Sequence, residues 1–378
     1  MNLLDRRQAL KPALPELIVQ QRARPPAWVV IALPVGSIIA AVALASLLLL
    51  VAGYHPFAAY HVMVRSAFGN RFAIGETLVE AAPLILTGLA LAVAFRLQVF
   101  NIGGEGQLYV GAICAAGVAL LWGNDLPSAL VIPLALLAAV AGGAAFALLA
   151  AVPRAYAGTS EIVVTLMLNF VALNLLNYLI FGSASPFRDP KVILFPQGRD
   201  IPQAARLPLV SGQVNLGIVL AVAAALAIWA LERVTRWGFE VQVAGDSGGA
   251  ARYMGVNLGR KILAVFALSG GLAGLAGAVI VVGRLGALEP RALVHSYGYL
   301  GILVAALARL HPVGVIVMGL FVAALNTAGP SMQSAGIPSP VVFMLQGAVL
   351  MFVVIGEFWI RYRVKVTWRR RASSEPVS

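Results

Sequence analysis

The residues RLQVFNIGGEGQLYVG, from Arg96 to Gly111, interrupt what would otherwise be one apolar run between Thr77 and Trp122. An acid or an amide is costly in a helix that faces lipid. Irregular backbone is tolerated at membrane depth only where protein or a water-filled cavity supplies hydrogen bonds. This stretch, the polar break, therefore predicts a short unwound element between two membrane spans inside a helix bundle. Its polar side chains, set among four glycines, are Asn101, Glu105 and Gln107.

Two interpretations of the polar break are open. In the first, freed backbone amides and polar side chains line the path of a solute, as in transporters with interrupted helices. In the second, the break is a cytoplasmic hairpin turn with Glu105 near a helix start, where the helix dipole favours an acid. Both can hold at once.

Composition assigns the chain to the membrane proteins. Of its 378 residues, 60% are hydrophobic and 11% are charged, and the mean hydropathy is +0.90. Soluble domains carry about 25% charged residues. No polar stretch is long enough for a second globular domain. The single cysteine, Cys114, excludes an intrachain disulfide and a thiolate metal cluster, and we interpret it as a small apolar residue in a span.

The net charge of +12 reflects membrane topology rather than nucleic-acid binding. Basic residues cluster before the first apolar run and after the last, and such clusters mark the cytoplasmic side of a membrane protein. Both termini are therefore predicted to be cytoplasmic, and no nucleic-acid partner is expected. The clusters are Arg6, Arg7, Lys11, Arg22 and Arg24 at one end, and Arg361, Arg363, Lys365, Arg369, Arg370 and Arg371 at the other.

The predicted fold is all-α, a polytopic membrane bundle of about ten helices, since about 20 apolar residues are needed for each crossing. We divide the chain into a cytoplasmic tail (1–26), a transmembrane domain (27–362) with a cytoplasmic loop (233–261), and a second cytoplasmic tail (363–378). The helix count around 297–328 is open because one apolar run there is short. The predicted spans are 28–53, 77–95, 99–122, 126–152, 160–181, 214–231, 262–282, 297–308, 313–328 and 338–360.

The fifth predicted span carries a polar stripe. Glu161, Thr165 and Asn169 recur every four residues and so share one helix face. Such a stripe faces a cavity or another helix rather than lipid. It is either the wall of a solute path, together with the side chains of the polar break, or a row of hydrogen bonds between helices.

The cytoplasmic loop contains a candidate docking surface for another protein. Asp246 or Ser247 can cap a helix start, and Gly255 suits the left-handed position after a helix. We therefore predict a short helix lying across the cytoplasmic face. Small residues would allow a partner to approach closely, while a basic and an aromatic residue would anchor it. The alternative is a solvated connector. The small residues are Gly249 and Ala250, and the anchors are Arg252 and Tyr253.

Two further segments bear on organisation. The proline-rich stretch 182–213 is predicted to be external, and at this length it is either a site for a soluble partner or a solvated connector. The stretches AFRLQVFNIG and ALARLHPVG form a weak internal repeat. In both, Arg-Leu lies at the predicted inner end of one helix, and a glycine follows near the start of the next. Repeated halves are common in transporters.

Three stretches carry a family resemblance. FNIGGEGQ (100–107), VVTLMLN (163–169) and GDSGGAARYMGVN (245–257) resemble segments of bacterial ABC-importer permeases in the simple-sugar and nucleoside branch. The third is similar to the cytoplasmic loop that docks the ATPase in these permeases. The resemblance implies a type II ABC-importer-like bundle in the bacterial inner membrane, in contact with lipid.

The resemblance also implies partners and a solute. The expected partners are a second permease subunit, paired cytoplasmic ABC ATPases and an external solute-binding protein. Paired permeases of the nucleoside branch are often non-identical, and the long N-terminal region here looks like that of the larger type. The implied solute is a nucleoside first and a simple sugar second. Amides and hydroxyls along the path suit a neutral, hydroxyl-rich molecule.

The chain contains no recognisable motif for ATP binding, metal binding or catalysis. No G-x-x-x-x-G-K-[ST] pattern occurs, because none of its lysines follows such a glycine loop. Its histidines have no H-x-x-x-H spacing, and no Ser/His/Asp arrangement suggests catalysis. We therefore expect no enzymatic activity, metal or cofactor in this chain, with ATP and Mg bound by the partner ATPase. The lysines are Lys11, Lys191, Lys261 and Lys365.

Two other classes of function compete with the importer subunit. An ion-coupled secondary transporter would use Glu105 or Glu161 as its proton-linked carboxylate. A membrane-embedded enzyme is the less favoured alternative. Uptake that needs ATP and a partner ATPase, but survives collapse of the ion gradients, distinguishes the importer from the secondary transporter.

Overall fold

The computed structural model describes residues 15–21, 27–182, 185–192, 196–293 and 296–368. The outer parts of the two predicted tails (1–14, 22–26 and 369–378) lie outside the described residues. Within those limits nearly all regular structure is helical, which confirms the predicted all-α bundle.

The helices follow the predicted apolar runs closely. A π-helical turn extends one helix over Tyr178–Gly182 and another over Val281–Leu285, and a 3₁₀ turn covers Gln203–Ala205. The strands are β1 (Pro15–Gln21), β2 (Leu209–Ser211), β3 (Val214–Asn215) and β4 (Tyr362–Trp368). The helices are α1 (Ala27–Val51), α2 (Pro56–Phe68), α3 (Arg71–Arg96), α4 (Gly104–Trp122), α5 (Ser128–Ala157), α6 (Glu161–Asn177), α7 (Gly217–Val234), α8 (Arg236–Asp246), α9 (Gly248–Tyr253), α10 (Leu258–Ile280), α11 (Pro290–Leu293), α12 (Tyr297–Leu307), α13 (Pro312–Ser334) and α14 (Ser339–Arg361).

Eight helices in the described part of the chain are long and apolar enough to cross a membrane. The number is nine if residues 39–51 and α2, which meet at an angle of 119°, count as one span. This polytopic arrangement confirms a multi-pass membrane protein. The count is lower than the predicted ten, and the run predicted to span at 297–308 accounts for part of the difference.

That run forms α12, which has only 11 residues. At 1.5 Å per residue it is about 17 Å long, whereas the hydrocarbon core of a bilayer is about 30 Å thick. The predicted full span is therefore wrong at this point. The carbonyl of Tyr297 accepts a hydrogen bond from Thr87 Oγ1 at 3.1 Å, and the carbonyl of Leu310 accepts one from Arg96 Nη2 at 3.2 Å. The backbone of the half-helix α12 consequently lies beside the second half of α3.

The described chain forms two compact units. Residues 53–346 form the larger unit, and residues 1–52 together with 347–378 form the smaller. In the smaller unit β1 pairs antiparallel with β4, from Pro15 opposite Trp368 to Gln21 opposite Tyr362. The two segments had been assigned to polar tails. Their pairing brings residues 15–21 and 362–368 together.

Helices α3 and α10 are the most buried spans of the larger unit. Helix α3 packs against α7, α10, α12 and α13, and its residues 79–94 are all buried. Helix α10 also packs against α4 and α5. The polar break therefore follows one central helix, α3, and the cytoplasmic loop leads into the other, α10.

Glycine permits the closest of these contacts. A Cβ on Gly111 of α4 would overlap the backbone of Gly274 on α10, and a Cβ on Gly274 would overlap the carbonyl oxygen of Ala139 on α5. Small residues allow helix backbones to approach closely in membranes, and these glycines bring α4, α5 and α10 into direct contact.

Candidate functional site

The polar break separates α3 from α4. Helix α3 ends at Arg96, the chain is non-helical over residues 97–103, and α4 begins at Gly104. Gln98 turns the chain with a left-handed φ of 56°. The unwound element predicted from the glycines and polar residues is therefore present. The sequence had placed a span from residue 99, whereas the helix begins after the break.

Asn101 and Gln107 form a reciprocal amide pair. Asn101 Nδ2 donates to Gln107 Oε1 at 2.9 Å, and Gln107 Nε2 donates to Asn101 Oδ1 at 2.8 Å. Asn101 Nδ2 also donates to Ser269 Oγ on α10 at 2.8 Å, and Asn101 Oδ1 accepts from the amide of Gly103 at 3.1 Å. Both side chains are buried. Because the amides satisfy each other, they can remain inside the bundle without water.

Asn169 connects the break to α6 and α12. Its Oδ1 accepts from the amide of Gly106 at 2.8 Å. Its Nδ2 donates to the carbonyl of Ile102 at 2.9 Å and to the Tyr299 hydroxyl at 3.1 Å. One turn earlier on α6, the Thr165 hydroxyl donates to the carbonyl of Glu161 at 2.7 Å. The predicted stripe thus faces the break rather than lipid.

Glu105 lies where two helices begin. It is in the first turn of α4, and its side chain is almost fully buried. Its Oε1 accepts from the Tyr109 hydroxyl at 2.6 Å, and its Oε2 accepts from the amide of Gly298, in the first turn of α12, at 2.6 Å. The N-terminal ends of both helices favour a negative charge. This position agrees with the helix-start interpretation and adds a second helix to it.

The structure thus brings the five predicted path residues together. All are buried where α4, α6, α10 and α12 meet. Four of them hydrogen-bond to groups of neighbouring elements, whereas the Thr165 hydroxyl donates to carbonyls of its own helix. In this arrangement their polar atoms bind protein groups. A solute passing here would have to displace these protein partners. Solute hydroxyl groups can replace them, because amides and hydroxyls both donate and accept hydrogen bonds. The five are Asn101, Glu105, Gln107, Thr165 and Asn169.

Glu161, at the start of the stripe, has fixed partners. Its Oε2 lies 3.2 Å from Arg154 Nε, and its Oε1 accepts from the amide of Phe100 at 3.3 Å. The two carboxylates that a secondary transporter would use, Glu161 and Glu105, are both engaged in this way.

The predicted short helix is present as α9, and a second short helix, α8, precedes it in the loop 233–261. Helix α8 ends at Asp246, which therefore does not cap a helix start, and α9 follows after Ser247. Ser247 is the cap, since its Oγ accepts from the amide of Ala250 at 3.2 Å. Gly255 has the predicted left-handed conformation, with a φ of 78°.

Residues 246–257, the docking segment, present an open surface. Ala251 is buried, whereas Gly249, Ala250 and Arg252 are exposed and Tyr253 is 95% exposed. A Cβ at Gly249 would meet only Ser247 Oγ, at 3.8 Å. A partner can therefore approach the backbone of this segment closely.

The base of the docking segment is held firmly. Lys261 on α10 forms an ion pair with Glu240 on α8, and its ammonium lies 5.8 Å from the ring centre of Trp237. Gly245, in the last turn of α8, packs against the carbonyl of Arg96. The residue that directly precedes the docking segment is thus in contact with the end of α3.

Two clusters were not found from the sequence. Near the outer ends of α3 and α10, Arg284 forms an ion pair with Glu80, and the Tyr297 hydroxyl donates to Glu80 Oε2 at 3.0 Å. Arg284 lies in the π turn after α10. The i, i+4 spacing of Glu76 and Glu80 was a visible signal, but it did not identify the partner helix.

The second cluster lies at the inner end of α3. Arg96 Nη2 is 3.1 Å from Glu232 Oε2 on α7 and also donates to the carbonyl of Leu310. From the sequence, Arg96 served only to mark the cytoplasmic side. The weak repeat between the two Arg-Leu stretches was a sequence feature that pointed to this cluster, because the structure places the two turns in contact.

Comparison with known proteins gives consistent matches. A sequence model of the family described as branched-chain amino acid transport system / permease component matches residues 73–354. That region contains the polar break, the stripe on α6 and the docking segment.

Individual relatives match over most of their length. The glucose ABC transporter permease protein TsgB13 of Haloferax volcanii is 36% identical over 374 residues, 96% of this chain and 97% of that protein. The guanosine ABC transporter permease protein NupP of Bacillus subtilis is 31% identical, over 87% of this chain and 94% of that protein. The nucleoside ABC transporter permease protein NupB of Lactococcus lactis is 30% identical, over 85% and 90%.

Proposed function

Since this chain belongs to the ABC transporter permeases, in their simple-sugar and nucleoside branch, we propose that it is the membrane subunit of an ATP-driven importer of nucleosides. The observation that carries the proposal is the match to such permeases along nearly the whole chain. The exposed docking segment supports it, because a permease must receive force from a separate ATPase.

The docking segment is the proposed ATPase contact. Its exposed backbone gives a partner close access, and Arg252 and Tyr253 provide a charge and an aromatic ring as anchors. The sequence carries no P-loop, so ATP and Mg would be bound by the ATPase subunit. The remaining members of the proposed contact are Asp246, Gly249, Ala250 and Gly255.

The buried cluster around the polar break is the proposed solute path. Its side chains are mainly amides and hydroxyls, and its one acid among the five, Glu105, is already bound by two donors. Movement of the half-helix α12 away from α4 and α6 would release Asn169 and Glu105 to bind solute hydroxyls. Interrupted helices at a transport site behave in this way in other transporters.

A nucleoside is the proposed solute, with a simple sugar as the second candidate. Two of the three relatives described above are named for guanosine or nucleosides, whereas the most identical of the three is named for glucose. Both solutes are neutral and rich in hydroxyls. We further propose that an external solute-binding protein delivers the solute and that a second permease subunit completes the path.

The first experiment tests the energy source. The purified permease is reconstituted in liposomes with its ATPase, second permease and binding protein, and solute uptake is measured with and without ATP. We expect uptake that requires ATP and persists when ionophores collapse the ion gradients. Uptake that stops with the gradients and ignores ATP would support the secondary transporter instead.

The second experiment tests the solute. The melting temperature of the purified binding protein is measured with nucleosides, pentoses and hexoses in turn, and the same compounds then compete for uptake. We expect stabilisation by nucleosides, because a bound ligand raises the melting temperature by mass action. Stabilisation by pentoses or hexoses alone would refute the nucleoside assignment and leave the importer assignment intact.

A further inference from the structure

Arg96 is the residue at which the inner ends of several helices meet. It is the last residue of α3, and its Nη2 lies 3.1 Å from Glu232 Oε2 in the last turn of α7. The same nitrogen donates to the carbonyl of Leu310, in the turn between α12 and α13, at 3.2 Å. One guanidinium thus connects the end of α3 to α7 and to the turn between α12 and α13.

The main chain of Arg96 makes a further connection. Its carbonyl oxygen lies against Gly245 of α8 so closely that a Cβ on this glycine would overlap it. Helix α8 leads directly into the exposed helix α9. On its other side, Arg96 is followed by the unwound residues 97–103, which hold Asn101. The residue therefore lies between the docking segment and the polar cluster.

The contacts of Arg96 with Glu232 and Leu310 are suited to pass a movement of α3 on to its neighbours. The planar Nη2 group of Arg96 has two N–H bonds in fixed directions, which serve the Glu232 carboxylate and the Leu310 carbonyl. The Glu232 side chain is only 6% exposed, so losing its partner would leave a carboxylate with little water to compensate. Arg309 and Leu310 both have left-handed backbone, a strained conformation that persists only where surrounding contacts hold it.

We propose that Arg96 is a positioning residue for transport, which passes the displacement of α8 and α9 on to the half-helix α12 and to the polar break. The inference rests on the proposed function, since it presupposes that an ATPase moves α9. When α8 moves, Gly245 displaces the end of α3, and the Arg96 side chain moves the α12–α13 turn with it. The solute path then opens or closes in step with ATP hydrolysis.

The test measures the coupling between hydrolysis and uptake. The complete importer is reconstituted with wild-type permease or with Arg96→Gln, and ATP hydrolysis and solute uptake are measured in the same liposomes. We expect hydrolysis to continue while uptake falls, so that ATP used per solute rises about tenfold, within the range usual for coupling between sites. Arg233→Gln is the matched control, because Arg233 is exposed and stacks on Trp229, 5.8 Å away, in its own helix.

Two further variants keep the test decisive if Arg96→Gln does not assemble. Arg96→Lys keeps the charge but lacks the fork, and Glu232→Gln removes the ion pair but leaves the bond to Leu310. We expect each of them to raise the ATP used per solute above the wild-type ratio. An unchanged ratio, or hydrolysis and uptake falling in parallel, would overturn the inference. If wild-type uptake does not need ATP, the proposed function fails before any variant is compared.

Discussion

A carboxylate can remain inside a membrane bundle when donors occupy both of its oxygens, and Glu105 meets this condition. Tyr109 binds one oxygen, from one turn further along α4, and the amide of Gly298 binds the other from α12. The acid therefore joins a continuous helix to a half-helix. It is both a helix-start residue and part of the cluster proposed as the solute path.

Replacing Glu105 with Gln tests this role. The amide presents one acceptor oxygen instead of two, so it can no longer accept from both the Tyr109 hydroxyl and the Gly298 amide. We expect the free energy of unfolding to fall by about 1–3 kcal/mol, the usual loss when a buried donor is left without a partner. Thermal unfolding of the purified protein in detergent measures the change, and uptake is assayed in parallel.

Asp125→Asn provides the control for Glu105→Gln. It makes the same chemical change in an exposed turn after α4, where we expect an effect within about 0.5 kcal/mol. Equal melting temperatures for the two variants would show that the Glu105 contacts do not stabilise the bundle.

At the scale of whole helices, the close packing of α4, α5 and α10 predicts that a Gly→Ala substitution lowers stability inside this contact and raises it at an open position. Gly274→Ala places a Cβ against the carbonyl of Ala139, so α5 and α10 must separate. We expect destabilisation by about 1–3 kcal/mol, as for other overpacked sites. Gly347→Ala is made where nothing lies within 4 Å of the new Cβ, and it should stabilise by about 0.5–1 kcal/mol because alanine is the better helix former. Melting temperatures that shift in the same direction would contradict the packing argument.

The helix α9 carries a second prediction. Gly249→Trp adds a large side chain to the docking segment, where a Cβ has open space within this chain. The permease should therefore insert and fold normally, while the indole blocks the approach of the ATPase. We expect ATP-driven uptake to be abolished with unchanged amounts of permease in the membrane.

The same substitution at Gly347, another open glycine on a helix, should leave uptake intact. Normal uptake by Gly249→Trp, measured beside this control, would remove the evidence that α9 is the ATPase contact.

The helices show which features could be predicted from sequence. Length and hydropathy located the spans, and glycine with polar residues located the polar break. Contacts distant in sequence were not predictable, because nothing local in Arg284 identifies Glu80, and nothing in Arg96 identifies Glu232 or Leu310. The half-helix α12 was mistaken for a span because a short apolar run has the same composition in either case.

The terminal strands were missed for a different reason. In YRVKVTW, residues 362–368, apolar and polar side chains alternate, which is the period of a strand. Its basic residues and its position after the last span favoured a tail instead. Pairing with β1 required a partner more than 300 residues away, which local pattern cannot reveal.

At the scale of the whole molecule, the proposed function requires that the docking segment face the ATPase in the cytoplasm. Two facts bear on this. The β1–β4 pairing brings residues 15–21 and 362–368 together, and the basic residues clustered near both segments in the sequence predict that this side is cytoplasmic. By the predicted alternation of spans, Tyr253 lies on the cytoplasmic side and Asp125, after the outer end of α4, lies on the opposite side.

The single native cysteine makes this topology directly measurable. In a Cys114→Ala background, Tyr253→Cys and Asp125→Cys each introduce one thiol at an exposed position. A membrane-impermeant thiol reagent should label Tyr253→Cys in inside-out vesicles only and Asp125→Cys in right-side-out vesicles only. The background protein without either substitution controls for other labelling. Labelling of Tyr253→Cys from outside would place the docking segment beyond the reach of a cytoplasmic ATPase, and the mechanism proposed for Arg96 would fail with it.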